Sequence, residues 1–332
     1  MDTIGNNINL LTDFGFKRMF GTEPYKKNLI GFLNAFIKPY FGPVTDIDYR
    51  PTEQLGLLPN EKRLVFDVYC TTQKEDKVLV EMQKASQEFL KNRLIAYSAR
   101  TISNSLVKGD RRYNFPPVIS IILVDFEIPE LKGKEDFMMH VTLKDDKNEI
   151  FSEKVSFILV DLTKFAAKMN FGQLTDERRK WCYAIKNMWR MTDTDIPSED
   201  KIFHELYEDC KISKLSDMEK NEYEKSIWEY DDVKDAIDYH SRLAKAEGIA
   251  EGISKGRTEG RAEGRAEGIS EGIAKGKAEG IAEGIAKGKV EGIAEAKQQI
   301  AIELLKNGVN IETIAKATGL TEEEIERLSE RL

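Results

Sequence analysis

Glycine recurs at every fourth position from Gly248 to Gly292, twelve times without interruption. The units read GIAE, GISK, GRAE and close variants, and no Phe, Trp or Tyr follows Tyr239. A segment without large apolar side chains buries too little surface to offset the conformational entropy lost on folding. We therefore predict that the packed core of this chain lies within roughly its first 240 residues.

The repeat itself is a poor candidate for an isolated helix. Each glycine is about 1 kcal/mol less favourable than alanine in a helix, whereas an i,i+4 ion pair such as Glu251–Lys255 adds only about 0.2–0.5 kcal/mol. Residues 247–297 also carry nine Lys or Arg and ten Glu, which excludes a membrane-spanning GxxxG helix. We predict a marginal helix or a flexible spacer over residues 246–297, with homo-oligomer formation through this tail as an alternative.

Residues 298–332 return to ordinary amphipathic sequence. Two short helices are predicted around Gly319, with Thr321 as N-cap and Glu324 completing a capping box. The spacing is that of a short helix-turn-helix, but TEEEIERLSER is acidic where a recognition helix would meet phosphates. The sequence therefore favours a small helical dimerisation or docking element over a DNA reader.

Composition restricts the class of protein. The net charge of −8 argues against a uniformly basic surface for nucleic acid, although it leaves room for a local basic groove. Three cysteines are too few and too scattered for a disulfide framework or a zinc site, which favours a reducing, cytoplasmic location. The N-terminal residues lack the layout of a signal peptide, and no apolar run is long enough to span a bilayer.

The first 245 residues predict a mixed α/β domain. An apolar stripe at helical spacing covers residues 10–41 and is interrupted near Gly21 and Pro24. Val118–Asp125 (VISIILVD) is a nearly continuous apolar run, typical of a strand covered on both faces. Further strands are predicted at 137–143 and 155–162, and further helices at 86–107, 174–192 and 199–245.

A β-hairpin is predicted from Arg63–Cys70 and Lys77–Gln83, which both alternate apolar and polar residues around the polar loop TTQKED. A hairpin centred near Lys74 places Asp67 opposite Glu81, about 5 Å apart at Cβ. Gln83 lies two residues further along the same face. The other face is predicted to join the core through Leu64, Phe66, Val68, Val78, Val80 and Met82.

Two carboxylates at this distance repel each other, and a divalent cation removes that repulsion by sharing their oxygens. Mg²⁺ suits such a pair, because it takes few carboxylates and keeps several waters. The bound metal would lower the pKa of a water and stabilise charge on a phosphoryl group. Gln83 can orient a water or phosphate by hydrogen bonding but carries no charge. The alternative is an ordinary amphipathic hairpin whose polar face meets solvent.

The helix that follows the hairpin carries Arg93, Tyr97 and Arg100 at positions i, i+4 and i+7, so these side chains share one face. Two arginines and a tyrosine directly after an acidic pair would make a phosphate-binding surface. An ordinary solvated helix face with a buried Tyr97 ring explains the same pattern.

Several segments together resemble a known family. TDFGFKRMFG, KNLIGFLNAFI and the hairpin RLVFDVYC…KVLVEMQK resemble the Rpn-type recombination-promoting nucleases, also called PD-(D/E)XK nuclease family transposases. The helix beginning FLKNRLIAYSARTISNSL extends the similarity, which covers residues 8–240. The resemblance implies a restriction-endonuclease-like core, in which helices flank a central mixed sheet. It also implies cleavage of DNA phosphodiesters with Mg²⁺ or Mn²⁺.

The resemblance assigns site residues as well. Asp67 corresponds to the first metal-binding acid and Glu81 to the second, and Gln83 stands where the wider superfamily has its catalytic lysine. The missing charge could come from Lys84 or from an arginine of the following helix.

Asp13 matches the family's opening D-x-x-F-K pattern, as an accessory acid or as the N-cap of the first helix. Lys17 in the same pattern could contact phosphate or solvate the helix.

The sequence thus predicts a nuclease-like domain over residues 1–245, a repeat linker over 246–297 and a small helical element over 298–332. The predicted function is that of a metal-dependent DNA endonuclease of the recombination-promoting, transposase-like type. Two alternatives stay open. One is a weak or inactive relative that acts as a DNA-binding module, and the other is an oligomeric scaffold built on the repeat tail.

Overall fold

The computed structural model describes residues 5–54, 63–86, 89–166 and 169–332. The chain separates into two compact units, Met1–Arg242 and Leu243–Leu332. Nearly all the large buried side chains belong to the first unit, as the distribution of aromatic residues predicts.

A six-stranded mixed sheet forms the centre of the first unit, with strand order β1-β4-β5-β6-β8-β7. β5, β6 and β8 run parallel, whereas the β1–β4, β4–β5 and β7–β8 pairs are antiparallel. A separate two-stranded sheet pairs β2 with β3. The strands are β1 (Ile47–Tyr49), β2 (Glu53–Gln54), β3 (Leu64–Val65), β4 (Val68–Thr72), β5 (Lys77–Gln83), β6 (Val118–Val124), β7 (Met138–Lys144) and β8 (Ile150–Asp161).

Helices precede, interrupt and follow these strands. They are α1 (Asp13–Phe20), α2 (Lys26–Phe41), α3 (Leu90–Ser105), α4 (Glu177–Asn187), α5 (Lys201–Asp209), α6 (Asp217–Lys306), α7 (Ile311–Thr318) and α8 (Glu322–Ser329). The predicted interruption of the first helical stretch lies between α1 and α2. The N-cap of α1 is Thr12, whose hydroxyl accepts a hydrogen bond from the backbone N–H of Gly15 at 3.0 Å. Asp13 is therefore the first helical residue and not the N-cap.

Both faces of the sheet are covered. The largest apolar cluster joins β5 and β6 to α1, α2, α4 and α5, with the aromatic side chains of Phe20, Phe32, Trp181 and Phe203 in contact with one another. On the opposite face, α3 packs through smaller clusters against β5, β6 and β8. Every residue of β6 is buried, which confirms the prediction of a strand covered on both faces.

The predicted strand Arg63–Cys70 is not continuous, and here the sequence-based expectation was wrong. Leu64 and Phe66 pack with Leu79 and Tyr97 on the α3 face, whereas Val68 belongs to the cluster on the opposite face. The backbone bends at Asp67, and β3 pairs with β2 instead of extending β4. The bend lets the Asp67 carboxylate accept the backbone N–H of Met82 at 2.7 Å, in place of a ladder hydrogen bond. The predicted row of six apolar residues is therefore divided between the two faces.

The glycine repeat lies within α6, which is helical throughout its 90 residues. Beyond it, α7 ends at Gly319, which adopts a positive φ of 70°, and α8 starts with the predicted capping box of Thr321 and Glu324. Ile314 and Ile325 are buried in a small apolar cluster of the second unit. Within the described ranges, no helix combines the length and apolar character needed to cross a membrane.

Candidate nuclease active site

The site is built where β4 begins and β5 ends. Val68 pairs with Val80, so the same register carried one residue back sets Asp67 opposite Glu81. Asp67 lies at the bend before β4, and its Oδ2 is fixed by the backbone N–H of Met82 at 2.7 Å. Asp67 and Glu81 directly flank the Val68–Val80 pair, and the charge of Asp67 acts on Glu81, so the two acids lie near each other.

Glu81 is only 4% exposed although it carries an ionisable group. Its Oε2 accepts a hydrogen bond from Gln83 Nε2 at 3.3 Å and lies 3.8 Å from Arg93 Nη2. In the part of the chain that the structure describes, Glu81 Oε1 has no hydrogen-bond partner. A buried carboxylate oxygen without a partner is strongly unfavourable, because its lost hydration is not replaced.

The two acids influence each other's protonation. Burial and, to a smaller extent, the negative charge of Asp67 together raise the pKa of Glu81 to about 8. The positive charge of Arg93 and the hydrogen bonds from the Asp67 backbone and the Gln83 side chain oppose this shift. Burial also raises the pKa of Asp67, against the hydrogen bond from Met82 and the positive charge of Lys17. A cation bound between the two carboxyl groups would favour their charged forms and oppose both shifts.

Charged residues from α1 approach Asp67 from the other side. Asp13 and Lys17 form an i,i+4 ion pair with an Oδ1–Nζ distance of 2.8 Å, and both are partly exposed. Their charges act on the pKa of Asp67 in opposite directions. The structure thus brings Asp13 near the acid pair as a member of an ion pair at the start of α1.

Lys84 directly follows Gln83, and burial lowers its pKa against the opposing effect of the Asp13 and Asp67 carboxylates. Its Nζ lies 5.3 Å from the ring centroid of Tyr230. The Tyr230 hydroxyl donates to Asp125 at 3.4 Å, and Asp125 also forms an ion pair with Lys186.

Sequence reasoning did not include Tyr230 in the site. Its only feature in the sequence is an aromatic ring in a polar helical stretch, which does not indicate its partner.

Arg93, Tyr97 and Arg100, the three α3 residues predicted to share one face, differ in their contacts. Arg93 lies over the ring of Tyr97, with 5.7 Å from Cζ to the ring centroid, and also faces Glu81. The Tyr97 ring is buried edge-on against Phe66 at 4.9 Å between centroids. Arg100 is half-buried and lies seven residues beyond Arg93 on the same helix.

These residues fit a divalent cation with few protein ligands. Among the residues described, no group of three or more His, Cys, Asp and Glu side chains is arranged to hold a metal ion. Mg²⁺ requires no such group, since it binds through one or two carboxylates and retains several waters. Asp67 and Glu81 supply two carboxylates, and the unpartnered Glu81 Oε1 is an available ligand atom.

Comparison with protein families gives two matches, one to each part of the chain. Residues 10–240 match the model described as PD-(D/E)XK nuclease family transposase. The chain belongs to this family. Residues 294–330 match the model described as Rpn/YhgA-like nuclease family, C-terminal HTH domain. No curated protein and no solved structure matches the chain.

The family match confirms the resemblance to Rpn-type nucleases and, with the mixed sheet and its flanking helices, the restriction-endonuclease-like α/β core. The second match gives α7 and α8 a helix-turn-helix description. It favours DNA binding by this segment, where sequence analysis favoured dimerisation or docking because of its acidic residues.

Proposed function

We propose that this PD-(D/E)XK nuclease family member is a metal-dependent DNA endonuclease that hydrolyses phosphodiester bonds. Asp67 and Glu81 would hold Mg²⁺ or Mn²⁺. The observation that carries the proposal is the buried Glu81 carboxyl group, which interacts electrostatically with Asp67 and whose Oε1 has no hydrogen-bond partner within the described ranges. A cation bound there would supply an activated water and stabilise charge on the phosphate.

The remaining residues have roles that follow from their contacts. Gln83 fixes the orientation of Glu81 through its hydrogen bond to Oε2, and it leaves Oε1 available to the cation. Because Gln83 is neutral, the positive charge has to come from elsewhere. Arg93 on the α3 face interacts with both acids, and Lys84 on the α1 face interacts with Asp67. We assign them to the phosphate groups of the substrate.

The test is cleavage of supercoiled plasmid by the purified protein with Mg²⁺ or Mn²⁺. The nearly isosteric changes Asp67→Asn and Glu81→Gln remove negative charge without removing bulk, and each should lower the rate by about 10²-fold or more. Glu153→Gln is the matched control, because Glu153 is an exposed acid on β8, two strands away from β5. Absence of cleavage by the wild-type protein on supercoiled, linear and single-stranded DNA would refute the proposal.

A second function is favoured by one observation, the neutral Gln83 in the position of the superfamily lysine. This second function is DNA binding by a catalytically inactive member of the family. This alternative requires wild-type protein that shifts DNA in a gel without cutting it. It also requires equal binding by the Asp67→Ala/Glu81→Ala double variant.

We also propose that two or more copies associate through the repeat. Isoleucines such as Ile249, Ile253, Ile269 and Ile273 are more than half exposed along α6, and a second helix would bury them. Light scattering on the full chain and on a chain ending at residue 245 would measure the association. Equal numbers of copies in the two species would contradict it.

A further inference from the structure

A groove of about 710 Å³ lies at the amino ends of β5 and β6, beside Lys154 of β8, the β4–β5 turn and the last turn of α3. Four basic residues line it, namely Arg50, Lys74, Lys77 and Lys154, against a single acid, Glu75. The chain as a whole carries a net charge of −8. A cluster of four cations is therefore a local exception on an acidic protein, and it marks a binding surface for anions.

The cations are held in defined positions. Arg50 Nε and Lys77 Nζ both donate to Thr71 Oγ1, at 3.0 and 3.3 Å. Lys154 Nζ donates to the carbonyl oxygen of Phe115 at 2.8 Å and lies over the aromatic ring of the same residue. Each of these contacts uses only some of the available N–H donors, since lysine has three and arginine five. Lys154 Nζ also donates to Asn114 Oδ1 at 3.0 Å, and Lys77 Nζ lies 3.9 Å from Glu75 Oε2. The contacts restrict these side chains, so less side-chain entropy is lost when a ligand binds.

The groove lies on the same face of β5 as the candidate active site, and the buried Leu79 beneath α3 separates the two. Lys77 and Glu81 are four residues apart, so their side chains project from the same face of the strand. The separation along the strand is about 13 Å. B-DNA advances about 3.4 Å per base pair, so this distance corresponds to about four base pairs.

We propose that this groove binds the phosphodiester backbone of the DNA strand that flanks the scissile phosphate. The proposal rests on the proposed function, because it places the same substrate on both sites. Lysine and arginine contacts to phosphates fix the position of DNA and carry no sequence information. The groove would therefore hold DNA at a fixed distance from Asp67 and Glu81, and it would do so for any base sequence.

The experiment measures DNA binding separately from cleavage. Fluorescence anisotropy with a labelled duplex in EDTA, over a series of salt concentrations, compares three full-length proteins. They are wild type, the groove variant Arg50→Gln/Lys77→Gln/Lys154→Gln, and the matched variant Lys132→Gln/Lys144→Gln/Lys147→Gln. The matched variant removes the same charge at exposed positions that do not line the groove.

We expect the groove variant to reduce the slope of log affinity against log salt by about 2 to 3, since each lost phosphate contact removes about 0.9. The matched variant should reduce this salt-dependence slope by less than one. Inorganic phosphate, added as a competitor, should displace the duplex far less effectively than unlabelled duplex at equal phosphate concentration. Equal slopes for the two triple variants, or equal competition by inorganic phosphate, would overturn the proposal.

A charge-preserving variant tests whether weaker DNA binding results from the lost charges or from misfolding. Lys77→Arg/Lys154→Arg should bind DNA with the wild-type slope, and the groove variant should keep the wild-type thermal midpoint. Cleavage is assayed in parallel with Mg²⁺. A reduced slope with no cleavage by any protein would refute the nuclease proposal alone, whereas unchanged slopes with normal cleavage would refute the groove alone.

Discussion

The carboxyl group of Glu81 keeps its proton in the folded protein up to a pKa of about 8, against an ordinary value of 4.5, because burial and the Asp67 charge disfavour the anion. Folding therefore takes up a proton between these pH values. In the absence of divalent cations, the free energy of unfolding should fall as the pH rises from 4.5 to about 8. One pKa unit corresponds to about 1.4 kcal/mol, so we expect a loss on the order of a few kcal/mol in urea unfolding.

The Glu81→Gln variant is the direct comparison. Its stability should vary less with pH over the same range, with a remaining slope from Asp67, whose pKa is shifted in the same direction. At pH 8, Mg²⁺ should stabilise the wild type and have little effect on the variant. Glu153→Gln should behave as the wild type. If Glu81→Gln kept the full wild-type slope, the assignment of this titration to Glu81 would be wrong.

Arg93 should control the pH dependence of cleavage. Its positive charge lowers the pKa of Glu81, so removing it in Arg93→Gln should raise that pKa. The acidic limb of the pH–rate profile should then move to higher pH, by about one unit for each 1.4 kcal/mol of lost attraction. Arg100→Gln, the same change on the same helix, is the control and should leave the limb in place. Identical shifts in both variants would indicate a general effect of charge.

The register of β4 against β5 was accessible from the sequence because it depends on a short turn, and register in a hairpin follows from the turn. The environment of Lys84 was not accessible in this way. It depends on Tyr230, which also contacts Asp125 across 105 residues of chain. Such contacts are set by tertiary packing, and neither periodicity nor spacing encodes them.

At the scale of elements, the apolar run of β6 and the capping box of α8 were predicted because each depends on neighbouring residues. The bend between Leu64 and Val68 was missed for a physical reason. Leu64, Phe66 and Val68 are apolar at alternate positions, so the sequence pattern is identical with or without a change of face. At the bend, the Asp67 carboxylate accepts the backbone N–H of Met82 across the hairpin, and such a contact is not visible in the pattern.

The glycines of α6 lead to a prediction about this helix. A Cβ added at any of the twelve repeat glycines would meet no atom within 4 Å, and alanine favours a helix by about 1 kcal/mol per position. Changing Gly252, Gly264, Gly276 and Gly288 to alanine should therefore stabilise this segment. Amide hydrogen exchange over residues 248–292 should slow by up to tenfold for each 1.4 kcal/mol gained.

Gly15→Ala provides the opposite case. There a Cβ would lie 2.3 Å from the backbone oxygen of Asn9, so the same substitution should lower the thermal midpoint of the first unit. Faster exchange in the four-alanine variant would contradict the prediction. It would indicate that the repeat glycines lie against another chain, where a methyl group does not fit.

At the scale of the whole molecule, the family match over residues 10–240 and the first compact unit end within a few residues of each other. The second unit includes the helix-turn-helix match. We retain the division of this part into a repeat linker over 246–297 and a small helical element over 298–332 as a proposal. In this proposal, the first unit cleaves DNA and the helix-turn-helix segment makes a separate contact with DNA.

A chain ending at residue 242 should therefore fold and cleave plasmid at a rate within a few-fold of the full protein, with weaker DNA binding in gel shifts. A chain ending at residue 216 should be less stable and should not cleave plasmid at this rate. It loses Tyr223, whose hydroxyl accepts the buried backbone N–H of Asn9 at 2.8 Å, and Ser226, which accepts that of Phe14 at 3.1 Å. Each unsatisfied buried group costs about 1–3 kcal/mol. Thermal unfolding and plasmid nicking measure both effects. Equal stability of the two shortened chains would show that the first part of α6 is dispensable to the nuclease unit.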